Sequence, residues 1–153
     1  MMKKLLGITI IIFTIIIGMC GCMENCKKKV VSLESLTLII REMKDSFVYE
    51  IAAKEEITEI LFYREIFSNG ETSLELEKKA VCDTKEFIEI MNTYCIMSWD
   101  GFHGKHPKYV SDGMMFNFTA CVNEGMTIQA EGSANFPKGY QDFVRELNHI
   151  LTK

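Results

Sequence analysis

Two turn sequences, each lying between runs that alternate apolar and polar residues, constrain the fold of this chain most strongly. Ser68-Asn69-Gly70-Glu71 divides the run from Ile57 to Val81, and Asn-Gly tolerates the positive φ angles that a type I′ turn requires. Asn123-Glu124-Gly125 divides the run from Met114 to Glu131 in a similar way. Because successive strand side chains point to opposite faces, these alternating runs predict two β-hairpins.

Two further strands are predicted before the first turn. The segment 36–40 is apolar on both faces, and the segment 47–53 alternates with a period of two. On the second arm of the first hairpin, Leu74, Leu76 and Ala80 are expected to share one face. The acidic and basic residues between them are expected to face water.

Two helices are predicted from their start signals. Asp83-Thr84-Lys85-Glu86 has the spacing of a capping box, and the apolar residues that follow extend the helical period to about Met97. Phe136-Pro137 opens a second helix, whose apolar stripe continues to the C-terminus. The order of strands, helix, hairpin and helix predicts an α+β domain. We expect an antiparallel β-sheet built from hairpins, with two amphipathic helices packed on one face.

The segment from Ser98 to Ser111 is the longest predicted irregular segment, and it carries the candidate binding residues. They are aromatic, acidic and imidazole side chains: Trp99, Asp100, Phe102, His103, His106 and Tyr109. Aromatic residues on loops often mark recognition surfaces. The alternative is that Trp99 and Phe102 fold back to cap the core.

His103 and His106 are the residues with metal-ligand chemistry, and Asp100 and Asp112 flank them. Gly104 and Pro107 disfavour the helix that would bring the imidazoles together, so we expect no metal and solvent-exposed histidines. Both Asp-Gly pairs are typical of turns. A catalytic acid pair drawn from Glu89, Asp100 and Asp112 would need a cleft that the sequence does not indicate.

A thiol enzyme would use Cys95 or Cys121 with His103 or His106. The predicted positions of these cysteines, near a helix end and within a strand, are typical of inert thiols. No nucleophile elbow, phosphate loop, zinc-protease motif or dinucleotide fingerprint occurs. We therefore expect a non-catalytic binding or interaction module without a cofactor. The alternatives are a metal-dependent or thiol enzyme using the His103/His106 loop, and a purely structural envelope protein.

The N-terminus resembles bacterial lipoprotein signal peptides. Lys3 and Lys4 precede an apolar run, and Gly18-Met19-Cys20-Gly21-Cys22 follows it. The resemblance implies cleavage and acylation, with a diacylglycerol and chains such as palmitate, on Cys22, or on Cys20 if the site is shifted. Gly21 favours Cys22, because a small residue is preferred before the cut. An uncleaved anchor helix is the alternative, although the apolar run is short for a membrane span.

This resemblance divides the chain into a signal peptide (1–21), a lipid-anchored polar tether (22–32) and a single α+β domain (33–153). It implies a cell-membrane location on the extracytoplasmic face. Lys27-Lys28-Lys29 in the tether is expected to be solvated, and the alternative is contact with anionic headgroups. Loss of Lys3 and Lys4 leaves 15 basic against 21 acidic residues, a formal charge of −6, which argues against a nucleic-acid partner. We expect a protein or small-molecule partner, whose identity the sequence does not indicate.

The six cysteines do not form an obvious disulfide framework. Cys20, Cys22 and Cys26 fall in the signal and tether, which leaves Cys82, Cys95 and Cys121 in the domain. A domain of this size does not need disulfides to fold, so free thiols are expected. One bridge between two of the three domain cysteines is the alternative, and its connectivity is open.

The segment from Thr84 to Leu151 also carries a resemblance. Trp99-Asp100-Gly101-Phe102, Asp112-Gly113 and Gly132-Ser133-Ala134-Asn135-Phe136-Pro137 are similar to segments of uncharacterised bacterial lipoprotein-type domains of unknown function. The resemblance supports the expected fold and compartment. It implies no catalytic residue.

Overall fold

A computed structural model describes residues 26–68, 70–111 and 113–153 of the chain. Within these residues the chain forms seven strands and two α-helices, which confirms the α+β class. The predicted signal peptide with Cys20 and Cys22, the first residues of the predicted tether, and Asn69 and Asp112 lie outside the described residues.

The described elements follow one another in the order strands, helix, strands, helix. They are β1 (Leu33–Arg41), β2 (Ser46–Lys54), β3 (Ile57–Ser68), β4 (Glu71–Asp83), α1 (Thr84–Thr93), a 3₁₀ turn (Ile96–Trp99), β5 (Phe102–Gly104), β6 (Met115–Val122), β7 (Met126–Ser133) and α2 (Tyr140–Ile150).

The seven strands form one sheet in the order β4-β3-β2-β1-β6-β7-β5. Neighbouring strands are antiparallel except β5, which pairs in parallel with β7 through Phe102 opposite Ala130. The sheet is therefore mixed, whereas the sequence predicted an antiparallel one. The difference arises in the segment predicted to be an irregular loop. Three of its residues form β5 at the edge of the sheet. Local sequence signals could not predict this pairing, because the partners in β7 lie nearly thirty residues further along the chain.

The hydrophobic core joins one face of the sheet to both helices. Strand residues of this inner face, such as Leu38 and Phe118, belong to the same buried cluster as Phe87 of α1 and Phe143 of α2. Trp99 belongs to the same cluster, with ring centroids 5.1 Å from Phe118 and 5.6 Å from Phe143. Edge-on aromatic contacts of this kind add to the stabilisation from buried area.

Helix α1 begins as predicted, because the Asp83 carboxylate accepts hydrogen bonds from the backbone N–H groups of Lys85 and Glu86, at 2.8 and 3.0 Å. It ends at Thr93, earlier than the predicted Met97. Cys95 has a φ of +53°, in the left-handed region, which interrupts the helix before the 3₁₀ turn.

A β-bulge in β4 changes the face on which its leucines lie. Tyr63 pairs with Leu76, whereas Phe62 pairs with Lys78, so Glu77 is an extra residue in the strand. Leu74 and Leu76 consequently lie on the outer face of the sheet, and Ala80 lies on the inner face. The prediction that these three residues share one face is wrong, because it assumed an unbroken period of two.

Close backbone packing explains one glycine of the segment that leads into α2. A Cβ on Gly132 of β7 would lie 2.2 Å from the carbonyl oxygen of Asn135. The chain after β7 therefore passes directly over the inner face of the sheet, and only glycine leaves room for it. This path leads to Tyr140, the first residue of α2, whose side chain belongs to the core cluster.

The segment 26–32 packs against the domain and does not behave as a free tether. Cys26 forms a disulfide with Cys95, with Cα atoms 5.5 Å apart, and Val30 is buried. The expectation that Cys95 is a free thiol, or pairs with another cysteine of the domain, is therefore wrong. It assumed that Cys26 belongs to a tether that does not contact the domain. Cys82 and Cys121 are free thiols, as expected.

Candidate binding surface

The outer face of the sheet carries one row of side chains that crosses all seven strands. Strand register places them side by side, and successive members are directly paired: His103 (β5), Glu131 (β7), Asn117 (β6), Ile39 (β1), Val48 (β2), Tyr63 (β3) and Leu76 (β4). The row is polar at the β5 side and apolar at the β4 side. Val48 is buried although it lies outside the main core cluster.

The polar half of the row is joined by hydrogen bonds. The Nδ1 atom of His103 lies 2.7 Å from Oε1 of Glu131, and the Asn117 amide donates to Oε2 of Glu131 at 3.3 Å. A carboxylate at Nδ1 favours the tautomer with a proton on that nitrogen and orients the imidazole. The His103 side chain is 66% exposed, so solvent or a bound molecule can reach it.

His106 is held by both ring nitrogens. Nε2 lies 2.5 Å from the carbonyl oxygen of Val110, and Nδ1 lies 2.7 Å from the Ser133 hydroxyl. Because a carbonyl only accepts, Nε2 carries a proton, and in the neutral ring Nδ1 accepts from Ser133. His103 and His106 line the same open depression of about 290 Å³. His106 fastens the loop to β7 and has no nitrogen left for a ligand.

The described residues do not bring metal ligands together. No group of three His, Cys, Asp or Glu side chains among residues 26–68, 70–111 and 113–153 has the proximity to hold a metal ion. Asp100 instead accepts a hydrogen bond from the backbone N–H of Gln129 at 3.1 Å. Glu89 lies exposed on α1. Asp112 lies outside the described residues.

The thiol pairs considered from the sequence are not assembled. The sulfur of Cys95 is in a disulfide and cannot act as a thiolate. Cys121 lies four residues beyond Asn117 on β6, which corresponds to roughly 13 Å from the polar half of the row. The Cys121 thiol also donates to the Glu34 carboxylate at 3.1 Å, and this hydrogen bond raises its pKa.

The aromatic residues of the predicted binding loop lie in different environments. Trp99 is 1% exposed, and its indole N–H donates to the carbonyl of Lys138 at 3.0 Å. Phe102 is half-buried in β5 against the ring of Phe116. Tyr109 is fully exposed and has a φ of +70°. Trp99 and Phe102 therefore support the core, and Tyr109 is the aromatic residue that this segment presents to solvent.

A group of exposed apolar side chains on the outer face lies on the β3–β4 hairpin, and the sequence patterns did not predict it. The apolar patch consists of Tyr63, Phe67, Leu74 and Leu76, which share this face by register with Glu65, the residue opposite Leu74. The Glu65 carboxylate lies 3.9 Å from the Arg41 guanidinium. Phe67 is 75% exposed, Leu74 47% and Leu76 50%. The β3–β4 hairpin extends past the end of β2, which pairs with β3 only as far as Glu65. The sequence shows that Leu74 and Leu76 alternate with charged residues, but the bulge determines on which face of the sheet they lie.

Two ion pairs that share Glu59 lie at the other end of the same face. The Glu59 carboxylate lies 2.5 Å from the Lys79 ammonium and 3.3 Å from that of Lys54. The hydrogen bond from Lys79, followed by that from Lys54, lowers the pKa of Glu59. The outer face of β3 and β4 thus carries the apolar patch towards one end and paired ionised groups towards the other.

Comparison with protein-family models, with curated proteins and with solved structures finds no match for this chain. Among the residues that the structure describes, no helix has the length and apolar character needed to cross a membrane.

Proposed function

We propose that this chain is an exported lipoprotein, held on the extracytoplasmic face of a cell membrane by a lipid on Cys22, with Cys20 as the alternative. The signal-like sequence motivates this assignment. The Cys26–Cys95 disulfide supports it, because disulfides persist in exported proteins and are rare in reducing compartments. Two acyl chains hold a protein on a bilayer far more firmly than one.

The lipid assignment is tested by mass spectrometry of the full chain expressed in bacteria. We expect a mature N-terminus at Cys22 carrying a diacylglycerol mass, and loss of that species in Cys22→Ser. Cys20→Ser serves as the matched control and is expected to keep the lipid. An uncleaved chain that begins at Met1 would contradict the lipoprotein assignment.

We further propose that the domain is a non-catalytic binding module whose partner contacts the outer face of the sheet. Both helices contribute to the core cluster of the inner face, and we infer that they lie on that face alone. Exposed Glu50, Asn117 and Gln129 are consistent with an outer face that no layer covers.

The observation that carries the binding proposal is the apolar patch. Three large apolar side chains, each about half exposed or more, lie together on one face of a hairpin that extends beyond its neighbouring strand. Exposed apolar clusters on soluble domains mark interaction sites. The partner that fits this surface is a protein with an apolar contact surface of its own. Tyr109 belongs to a loop that follows β5 towards the same end of the sheet.

The binding proposal is tested by site-specific photo-cross-linking in living cells. A photoreactive residue at Leu76 is expected to give a discrete cross-linked product, and the substitution Leu74→Thr is expected to weaken it. The matched control is the same residue at Val81, which is 52% exposed on the outer face of the same strand but lies at its other end. Equal products at Leu76 and Val81, or no effect of Leu74→Thr, would contradict the proposal.

A further inference from the structure

Three lysines that the sequence placed in a polar, solvated tether are held against the domain. Lys27, Lys28 and Lys29 are exposed, and they lie between the Cys26–Cys95 disulfide and the buried Val30. The Asn123 amide donates to the carbonyl of Lys29 at 3.0 Å. Both ends of the basic run are therefore fixed to the folded domain.

Exposed apolar side chains lie at the same end of the domain. The backbone N–H of Val31 donates to the side-chain oxygen Oδ1 of Asn123 at 2.7 Å, and Asn123 begins the turn that leads to Met126. Val31 is 76% exposed and Met126 46%. We call Lys27, Lys28, Lys29, Val31 and Met126 the basal surface. Basic residues beside exposed apolar ones are typical of surfaces that lie at a bilayer interface.

The distance along the chain puts the basal surface close to the membrane. Cys26 lies four positions after Cys22, and even a fully extended chain of that length spans only about 14 Å. Charges interact with a surface over a Debye length of about 8–10 Å at physiological salt. Because the disulfide holds Cys26 on the domain, the domain cannot move far from the bilayer to escape this interaction.

Acidic residues at the same end determine which part of it can approach an anionic surface. Glu55 and Glu56 in the β2–β3 turn, with Asp83, line a depression on the other side of Val31, where Lys85 is the basic neighbour. Asp100 lines the depression that contains Lys27 and Lys28. At this end Lys27, Lys28 and Lys29 form a continuous basic run, and Glu124 lies exposed in the turn that leads to Met126. The β2–β3 turn carries the adjacent acidic pair Glu55 and Glu56, which an anionic surface repels.

We propose that the basal surface lies against an anionic bilayer, tilted so that Lys27, Lys28 and Lys29 face the headgroups and the β2–β3 turn faces away. This inference rests on the membrane attachment proposed above. Strands β1 and β6 pair antiparallel with Leu33 opposite Val122, and β1 runs from this end towards Arg41. The docked domain therefore presents the apolar patch and Tyr109 away from the membrane, where a partner can reach them.

The test is lysine footprinting of the full chain in nanodiscs. An uncharged amine-acylating reagent is applied to protein in discs of phosphatidylcholine alone and in discs of equal parts phosphatidylcholine and phosphatidylglycerol. A basic residue near an anionic surface contributes about 1 kcal/mol, which corresponds to about fivefold in an equilibrium. We expect several-fold slower labelling of Lys27, Lys28 and Lys29 in the anionic discs. Salt of roughly 1 M, which shortens the Debye length to about 3 Å, is expected to remove the difference.

Other lysines of the same molecule are the matched controls. Lys85, beside the acidic turn, and Lys105 and Lys108, at the other end of the domain, are expected to label equally in both discs. Equal labelling of Lys27–Lys29 in the two discs, or a uniform decrease at all lysines, would overturn the inference. Mass spectrometry of the N-terminus decides the lipid assignment separately. An uncleaved anchor helix would also attach the chain upstream of Cys26, so footprinting still decides the orientation.

Discussion

The Asn92 side chain forms two hydrogen bonds with the backbone of Val30, which lies 62 residues earlier in the chain. Its carbonyl oxygen accepts from the Val30 N–H at 2.8 Å, and its amide donates to the Val30 carbonyl at 2.9 Å. The Asn92 side chain thus pairs with both backbone polar groups of Val30, as the backbone of a neighbouring strand would. The side chain of Asn123 binds the neighbouring segment, because its Oδ1 atom accepts from the backbone N–H groups of Val31 and Ser32. These contacts and the disulfide make residues 26–32 part of the folded domain.

We predict that Asn92→Ala lowers the free energy of unfolding by about 2 kcal/mol. The substitution removes two hydrogen bonds of about 1 kcal/mol each and leaves polar backbone atoms of a buried residue without partners. Urea denaturation of the oxidised protein measures the change. Asn117→Ala is the control, because it removes one exposed hydrogen bond and is expected to cost under about 0.5 kcal/mol. Equal costs for the two variants would contradict the role assigned to Asn92.

Peptide mapping without a reductant is expected to recover Cys26 and Cys95 in one linked fragment, with Cys82 and Cys121 alkylated separately. The bridge closes a loop of 69 residues, for which the chain-entropy relation gives about 4 kcal/mol of stabilisation. We therefore expect Cys26→Ser to lower the unfolding free energy by a few kcal/mol, and Cys82→Ser to lower it less. A map that links Cys82 to Cys121, or either of them to Cys95, would refute this pairing.

Two buried tyrosines give opposite predictions for loss of the hydroxyl group. The Tyr140 hydroxyl is buried and has no hydrogen-bond partner among the described residues, and burial raises its pKa. The Tyr49 hydroxyl donates to Asn148 at 3.0 Å. We expect Tyr140→Phe to leave stability unchanged or raise it by about 1 kcal/mol, and Tyr49→Phe to lower it by about 1 kcal/mol. Thermal unfolding of both variants measures the difference, and a loss on Tyr140→Phe would point to a partner for its hydroxyl.

The alkylation rate of Cys121 is expected to depend on Glu34. The hydrogen bond to the Glu34 carboxylate, with burial as a smaller cause, holds the pKa of Cys121 above its ordinary value, so less thiolate is present at a given pH. Glu34→Gln is therefore expected to shift the pH dependence of alkylation to lower pH and to increase the rate near pH 8. Cys82 is the internal control, because burial is the main cause of its raised pKa. An unchanged pH profile of Cys121 alkylation in Glu34→Gln would show that the Glu34 hydrogen bond does not raise the Cys121 pKa.

Local sequence signals predicted the class of the fold because each acts over only a few residues. Asp83 caps α1 through backbone groups two and three residues away. Alternation indicates that a segment is a strand without reference to its partner. His103 was predicted to be exposed to solvent, and its side chain is 66% exposed. Tyr109 was predicted only as a candidate binding residue, and it is exposed as well.

The candidate surfaces depended on contacts between residues far apart in the chain, which only the tertiary structure determined. The bulge at Glu77 moved Leu74 and Leu76 to the outer face, because strand register is set by pairing with β3. The pairing of Cys26 with Cys95 converted a predicted tether into a fixed surface. By itself the sequence determined which segments are strands and helices, since those preferences are local. The tertiary structure decided which side chains share a face, because that depends on register and long-range packing.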